Sequence, residues 1–184
     1  MYLSISKWLY RFAKGKTILI LMIGFICFIA LTMALLPILL PDSVGIVSLD
    51  DPVFYNPQQI FSILQAWGGP VRIQELWFHL TWDVIVPVWS FLIVGSITSW
   101  LLARALGPQN KWRLLNLVAC VTVFDLLENF SLAALILVYP RQLIWLAWLK
   151  TGFTMTKYGS GALILLVLLT GLLLSWRHKL RIQD

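Results

Sequence analysis

Long apolar runs dominate the pattern of hydrophobic and polar positions along this chain of 184 residues. Four of them lie at 17–40, 78–103, 114–138 and 152–176. Each reaches the roughly 20 apolar residues that a helix needs to cross the hydrocarbon core of a bilayer, which is about 30 Å thick. None alternates in polarity over about 10 residues, as a transmembrane β-strand does. The pattern therefore predicts an all-α fold, a four-helix transmembrane bundle that forms a single integral membrane domain over 1–184.

A short amphipathic helix is predicted at 57–67, in the long connection after the first run. Asn56 is a typical N-cap, Pro57 suits the first helical position, and Gln59 stands where the partner in a capping box would be. Apolar residues then recur at helical spacing, and Gly68-Gly69-Pro70 ends the pattern. Because the helix is too short to span a membrane, we expect it to lie in the outer interface, where it closes the mouth of the bundle or acts as a lid over a pocket.

Composition and charge agree with a membrane protein. The chain is 60% hydrophobic and 12% charged, whereas a soluble domain averages about 45–50% apolar and about 25% charged residues. Ten basic residues lie on one side of the predicted spans: Lys7, Arg11, Lys14, Lys16, Arg104, Lys111, Arg113, Arg177, Lys179 and Arg181. This positive-inside pattern predicts cytoplasmic N- and C-termini and membrane lipid as a partner, and it argues against nucleic acid.

Five ionisable residues interrupt the apolar runs: His79, Asp83, Asp125, Glu128 and Lys157. A charged side chain near the centre of a membrane helix costs about 2.5–3.5 kcal/mol even on a lenient scale, so we expect these residues to face the bundle interior and to pair. The spacing i, i+3, i+4 places Asp125, Glu128 and Asn129 on one helix face. Lys157, on the fourth run, is long enough to reach Asp83, Glu128 or both.

These charges do not balance, since three carboxylates accompany one lysine. A proton, a charged His79, a metal, a cationic ligand or water must supply the difference. The candidate acid–base residues are Asp125 and Glu128, and the candidate ligand-binding residues are Asp83, Asn129, Lys157 and His79. We predict no metal site, because His79 is the only histidine within the runs, and no cofactor. The alternative is structural: a buried lysine–carboxylate pair can fix helix register.

The order of these features resembles a group of small four-span bacterial membrane proteins. The features that carry the resemblance, over residues 50–160, are the Pro-started helix ending near Gly68-Gly69, Asp83 with Pro87, D-L-L-E-N at 125–129, Tyr139-Pro140 and Lys157. The resemblance implies a location in the bacterial inner (plasma) membrane and no particular activity. A looser resemblance, in bundle size and buried acids alone, is to the sterol isomerase and sigma-2 receptor superfamily, in which such acids meet a cationic amine or a carbocation.

Three functions are compatible with this pattern. In the first, the polar pocket binds a small lipid-like or cationic ligand, and whether acid–base chemistry follows, making the protein an enzyme, stays open. In the second, the protein is a proton- or ion-linked transport component in which Asp125 and Glu128 titrate. In the third, it is a structural or assembly subunit that pairs with a partner membrane subunit or with further copies of itself.

Overall fold

The computed structural model describes residues 2–41, 47–51, 54–106 and 110–181, and this part of the chain is almost entirely helical. The helices are α1 (Tyr2–Arg11), α2 (Gly15–Leu39), α3 (Pro57–Leu80), α4 (Trp82–Ala105), a 3₁₀ segment (Lys111–Thr122) that leads into α5 (Val123–Val138), and α6 (Ile144–Arg181).

Four stretches of the described chain are long and apolar enough to cross a membrane: Gly15–Leu39, Pro57–Ala105, Lys111–Val138 and Ile144–Arg177. The predicted all-α bundle with four spanning helices is therefore confirmed. The fourth helix begins earlier than the predicted span at 152–176, because the Trp-rich stretch before it is helical and buries Leu146 and Ala147.

Helix α3 begins as the sequence predicts, with a capping box. The Asn56 side chain accepts a hydrogen bond from the Gln59 backbone N–H, the Gln59 side chain accepts one from the Asn56 N–H, and both distances are 2.9 Å. The backbone then leaves helical geometry at Gly68, with φ 65° and ψ −176°. Helix α3 does not end there, although the Gly68-Gly69-Pro70 pattern predicts an end, because a second helical segment follows. Pro70 occupies the first turn of that segment and needs no N–H partner.

The chain divides into two compact units. Unit 1 comprises Met1–Ile26, Val88–Val121 and Ser160–Asp184, and unit 2 comprises Cys27–Pro87 and Thr122–Gly159.

Unit 1 is organised around the fully buried Asn116. Asn116 accepts a hydrogen bond from Ser6 Oγ (2.8 Å) and donates to the Ser6 carbonyl (3.0 Å) and to Ser99 Oγ (2.9 Å). These bonds join α1, the 3₁₀ segment and α4. The absence of a side chain at Gly95 lets Leu9 pack directly on α4, since a Cβ there would lie 2.5 Å from a Leu9 methyl carbon.

Unit 2 has an apolar core in which the first half of α3 takes part. The core residues are Leu49, Ile60, Phe61, Leu64, Trp67, Val71, Leu132, Leu135, Ile136, Leu146 and Ala147. Trp67 also donates its indole N–H to the Val47 carbonyl at 3.0 Å. The helix predicted at 57–67 therefore packs its apolar face into unit 2.

We expect Gly68→Ala to lower the melting temperature of the detergent-solubilised protein, because the φ and ψ of Gly68 lie in a region that is essentially restricted to glycine, where another residue costs about 1–3 kcal/mol. Gly69→Ala is the matched control, since a Cβ there meets no atom within 4 Å. Equal melting temperatures for the two variants would contradict the assignment of strain to Gly68.

Candidate functional site

An acid–lysine cluster lies in unit 2 and consists of Asp50, Asp125, Glu128, Lys150 and Lys157. Lys157 Nζ lies 3.2 Å from Asp125 Oδ1 and contacts Asp50 Oδ1. It also lies 2.6 Å from Glu128 Oε2, an ion pair without hydrogen-bond geometry. Lys150 Nζ lies 2.8 Å from Glu128 Oε1. One ammonium thus contacts all three carboxylates, and the second contacts the most buried of them.

The cluster has a buried floor and an exposed rim. The side chains of Glu128 and Lys150 are each 1% exposed. Those of Lys157 and Asp125 are 16% and 18% exposed, and that of Asp50 is 35% exposed. Solvent or a ligand therefore reaches the cluster from the side of Asp50.

Helix α6 places both lysines and Thr154 on one face, because 150, 154 and 157 follow the spacing i, i+4, i+7. Lys150 Nζ donates to Thr154 Oγ1 at 2.9 Å, and Thr154 Oγ1 donates to Glu128 Oε1 at 2.7 Å. Glu128 comes from α5, where it shares a buried face with Asn129. The floor of the cluster is therefore built by two helices.

Asp50 reaches the cluster because α6 binds the backbone around it. Lys150 donates to the Leu49 carbonyl, and the Tyr158 hydroxyl donates to the Asp50 carbonyl at 2.8 Å. Burial raises the pKa of Asp50 to about 7; the negative charge of Glu128 adds to this rise and Lys157 opposes it. Asp50 therefore changes its charge near neutral pH.

The sequence pattern did not indicate two members of the cluster, Asp50 and Lys150. Lys150 precedes the predicted span at 152–176 and so is not among the charges within the apolar runs, although its i, i+4, i+7 relation to Thr154 and Lys157 is a usable signal. Asp50 lies outside any regular element, so no periodicity pointed to it. With both included, the cluster has three carboxylates and two ammonium groups, and a single negative charge is in excess when all are ionised.

A histidine–carboxylate triad, consisting of Glu75, His79 and Asp83, lies at the junction of α3 and α4 in unit 2. His79 is 3% exposed. Its Nδ1 lies 3.0 Å from Asp83 Oδ2 and its Nε2 lies 3.5 Å from Glu75 Oε2. The structure thus pairs Asp83 with His79, whereas Lys157 pairs with Glu128, Asp125 and Asp50, so of its two expected partners Lys157 contacts Glu128 and not Asp83.

Asn129 links the triad to α5. Its side-chain N–H donates to the Asp83 carbonyl at 3.3 Å. Pro87, four residues further along α4, has no N–H to offer that carbonyl, so Asn129 provides the missing donor. The Asn129 Oδ1 atom is buried and has no hydrogen-bond partner among the described residues.

The three carboxylates of the acid–lysine cluster also have the spacing of a cation site. Oxygen atoms of Asp50, Asp125 and Glu128 lie within 4.8 Å of one another. The ammonium of Lys157 already lies among them, so a metal ion would have to displace it. The absence of a metal site stays a prediction from the sequence.

No protein-family model, curated protein or solved structure matches this chain. The two resemblances drawn from the sequence therefore stay predictions. A function has to be argued from the site itself.

We expect Lys150→Met to destabilise the protein by about 3–5 kcal/mol, because removing one partner of a buried ion pair leaves the other charge poorly compensated. Thermal or chemical denaturation in detergent measures the loss. Lys14→Met removes an exposed lysine and serves as the matched control. The double variant Lys150→Met/Glu128→Gln should regain part of the stability, since it also removes the buried negative charge. Equal stability of the Lys150 and Lys14 variants would contradict a structural contribution of this pair.

Proposed function

We propose that this membrane protein binds a small, cationic, lipid-like ligand at the acid–lysine cluster, and that the ligand competes with a proton on Asp50. The observation that carries the proposal is the charge of the cluster, which has three carboxylates and two lysines. Three carboxylates that share two ammonium groups repel one another, so a proton or a further cation relieves the excess negative charge.

Asp50 is the member of the cluster that suits this exchange. Its side chain is the most exposed of the five, and its pKa of about 7 lies in the physiological range. Below pH 7 the protonated Asp50 leaves the cluster neutral. Above pH 7 the ionised Asp50 gives it a net charge of −1, which attracts a cation.

An apolar groove supports the lipid-like part of the proposal. It has a volume of about 710 Å³ and is lined by residues of α5 and α6 in unit 2, among them Phe124, Trp145, Trp148, Phe153 and Thr156. None of the five cluster residues lines this groove, but its residues belong to α5 and α6, the two helices that also carry Asp125 and Lys157. The apolar part of a lipid-like ligand could therefore lie against the same pair of helices whose polar groups form the cluster.

Acid–base chemistry on the ligand is a compatible extension. A general acid works best when its pKa lies near the working pH, which Asp50 satisfies. Glu128 is engaged by Lys150, Lys157 and Thr154 and suits the role of a fixed negative charge. The acid–base roles assigned to Asp125 and Glu128 from the sequence stay predictions.

We expect the protein, in nanodiscs of neutral lipid, to bind decyltrimethylammonium more tightly as the pH rises from 6 to 8. This probe keeps its charge at every pH, so only the protein titrates. With a pKa of about 7 for Asp50, ionisation raises the apparent affinity by up to about tenfold over this range. Isothermal titration calorimetry at several pH values measures it.

Asp50→Asn should abolish this pH dependence and bind the probe weakly at all pH values. Asp51→Asn is the matched control, because Asp51 is the exposed neighbour and has no part in the cluster contacts described above. A pH dependence that persists in Asp50→Asn would contradict the role of Asp50. Binding that is unchanged in both variants would contradict the site.

Proton-linked transport is a second candidate, and the histidine–carboxylate triad favours it. Asn129, on α5 next to Glu128, bonds to the Asp83 carbonyl, so the triad and the cluster are connected within unit 2. A series of titratable groups inside membrane helices is typical of proton pathways.

Proton-linked transport predicts potential-driven proton uptake into proteoliposomes, reported by an internal pH-sensitive dye. His79→Gln should reduce the uptake at least about tenfold, because it removes the only described imidazole of the triad. Asp51→Asn should leave it unchanged. Uptake no faster than in protein-free liposomes would exclude this function.

The remaining assignments are also proposals. The placement of the basic residues supports cytoplasmic termini, and the location in the bacterial inner membrane rests on the resemblance to small bacterial membrane proteins. A role as an assembly subunit or a homo-oligomer stays a prediction. The cluster lysines pair with acids of the same chain, so their charges do not call for a second subunit.

A further inference from the structure

Unit 1 carries many cations and almost no acids. Ten of the 14 lysine and arginine residues of the chain belong to it, and its only acidic residue, Asp184, lies outside the described residues. The described part of unit 1 therefore has no carboxylate to neutralise its basic side chains. An anion from outside the chain is the natural partner for them.

Three of these cations converge on one cavity. It has a volume of about 490 Å³ and lies between α1 and the start of the 3₁₀ segment, with Lys7, Tyr10, Lys111 and Arg113 in its lining. Lys7 and Lys111 are exposed, whereas Arg113 is partly buried. We call this cavity the basic pocket.

Arg113 is held in a fixed position at the basic pocket. Its guanidinium carbon lies 4.3 Å from the centre of the Tyr10 ring, and the Tyr10 hydroxyl donates to the Arg113 carbonyl at 2.8 Å. Arg113 Nε is buried and has no hydrogen-bond partner among the described residues. A guanidinium that stacks on an aromatic ring and lines a pocket is well suited to a phosphate, which accepts hydrogen bonds from several N–H groups at once.

The walls of the basic pocket are joined before any ligand arrives. Asn116 of the 3₁₀ segment exchanges two hydrogen bonds with Ser6 of α1, at 2.8 and 3.0 Å, and both residues are buried. Because the two walls are fixed to each other, a ligand does not have to order them, which favours tight binding.

We propose that the basic pocket binds the phosphate of an anionic phospholipid headgroup. The surroundings favour a lipid over a soluble phosphate. Leu3, which lines the pocket, and Trp112, which lies between two of its cations in the sequence, are 49% and 59% exposed. Exposed aromatic and aliphatic side chains beside basic ones are typical of the headgroup layer, where acyl chains cover them.

Native mass spectrometry of the detergent-solubilised full chain tests the proposal, with short-chain phosphatidylglycerol and phosphatidylcholine of the same chain length as probes. We expect phosphatidylglycerol to bind at least about tenfold more tightly, because each basic residue near an anionic headgroup contributes about fivefold. The variant Lys7→Gln/Lys111→Gln/Arg113→Gln should lose this preference. The variant Arg11→Gln/Lys14→Gln/Lys16→Gln removes the same charge from exposed residues that do not line the pocket and should keep it.

Lys7→Gln/Lys111→Gln keeps the Arg113–Tyr10 contact and covers the case in which the triple variant fails to fold. It should weaken phosphatidylglycerol binding at least about fivefold at an unchanged melting temperature. An equal loss in the pocket and control variants would overturn the proposal, since it would indicate attraction by net charge alone. Displacement of the lipid by millimolar inorganic phosphate or glycerol phosphate would overturn the choice of a lipid, because the anion would then be a soluble phosphate.

Discussion

The contact of Lys157 with three carboxylates is the interaction on which unit 2 depends. It joins α6 to two positions of α5 and to the segment around Asp50, which is separated from Lys157 by more than half of the chain. An ammonium inside a membrane protein needs several acceptors to offset its lost hydration, and carboxylates placed together need a cation between them. The lysine and the three carboxylates can therefore be buried only together. The contact also bears on the apolar core of unit 2, because Leu49, which directly precedes Asp50, belongs to that core.

Acids and bases are distributed unequally between the two units. Seven of the eight acidic residues belong to unit 2. Three of them share two lysines in the acid–lysine cluster, and this excess of one carboxylate leaves room for a proton or a cation. Most basic residues belong to unit 1, where the basic pocket has no described carboxylate. The same electrostatic rule then gives opposite ligands, a cation for unit 2 and a phosphate for unit 1. Neither site requires the other, so each can be tested independently.

Much of the fold could be predicted from the sequence because its signals are local. The spanning helices follow from uninterrupted apolar length, and the start of α3 follows from the order Asn56, Pro57, Gln59, whose capping box forms as expected. The candidate site could be predicted only in part. Glu128, Asp125 and Lys157 stood out as charges in apolar runs, and the structure brings them together. Asp50 and Lys150 could not be identified in this way, because charged residues are common in loops and near the ends of spans. Only the tertiary contacts show which residues they pair with.

A purely structural role accounts for only part of the acid–lysine cluster. One lysine and one carboxylate are enough to fix helix register, and the fully buried pair of Lys150 and Glu128 meets that need. Asp50, Asp125 and Lys157 add a second layer that is more exposed and contributes two acids and one base. This layer raises the electrostatic free energy of the cluster when every group is ionised. It also places a carboxyl with a pKa of about 7 at the accessible edge. The excess negative charge thus lies at the edge that a ligand can reach. Exchange of a proton or a cation explains this placement better than packing does.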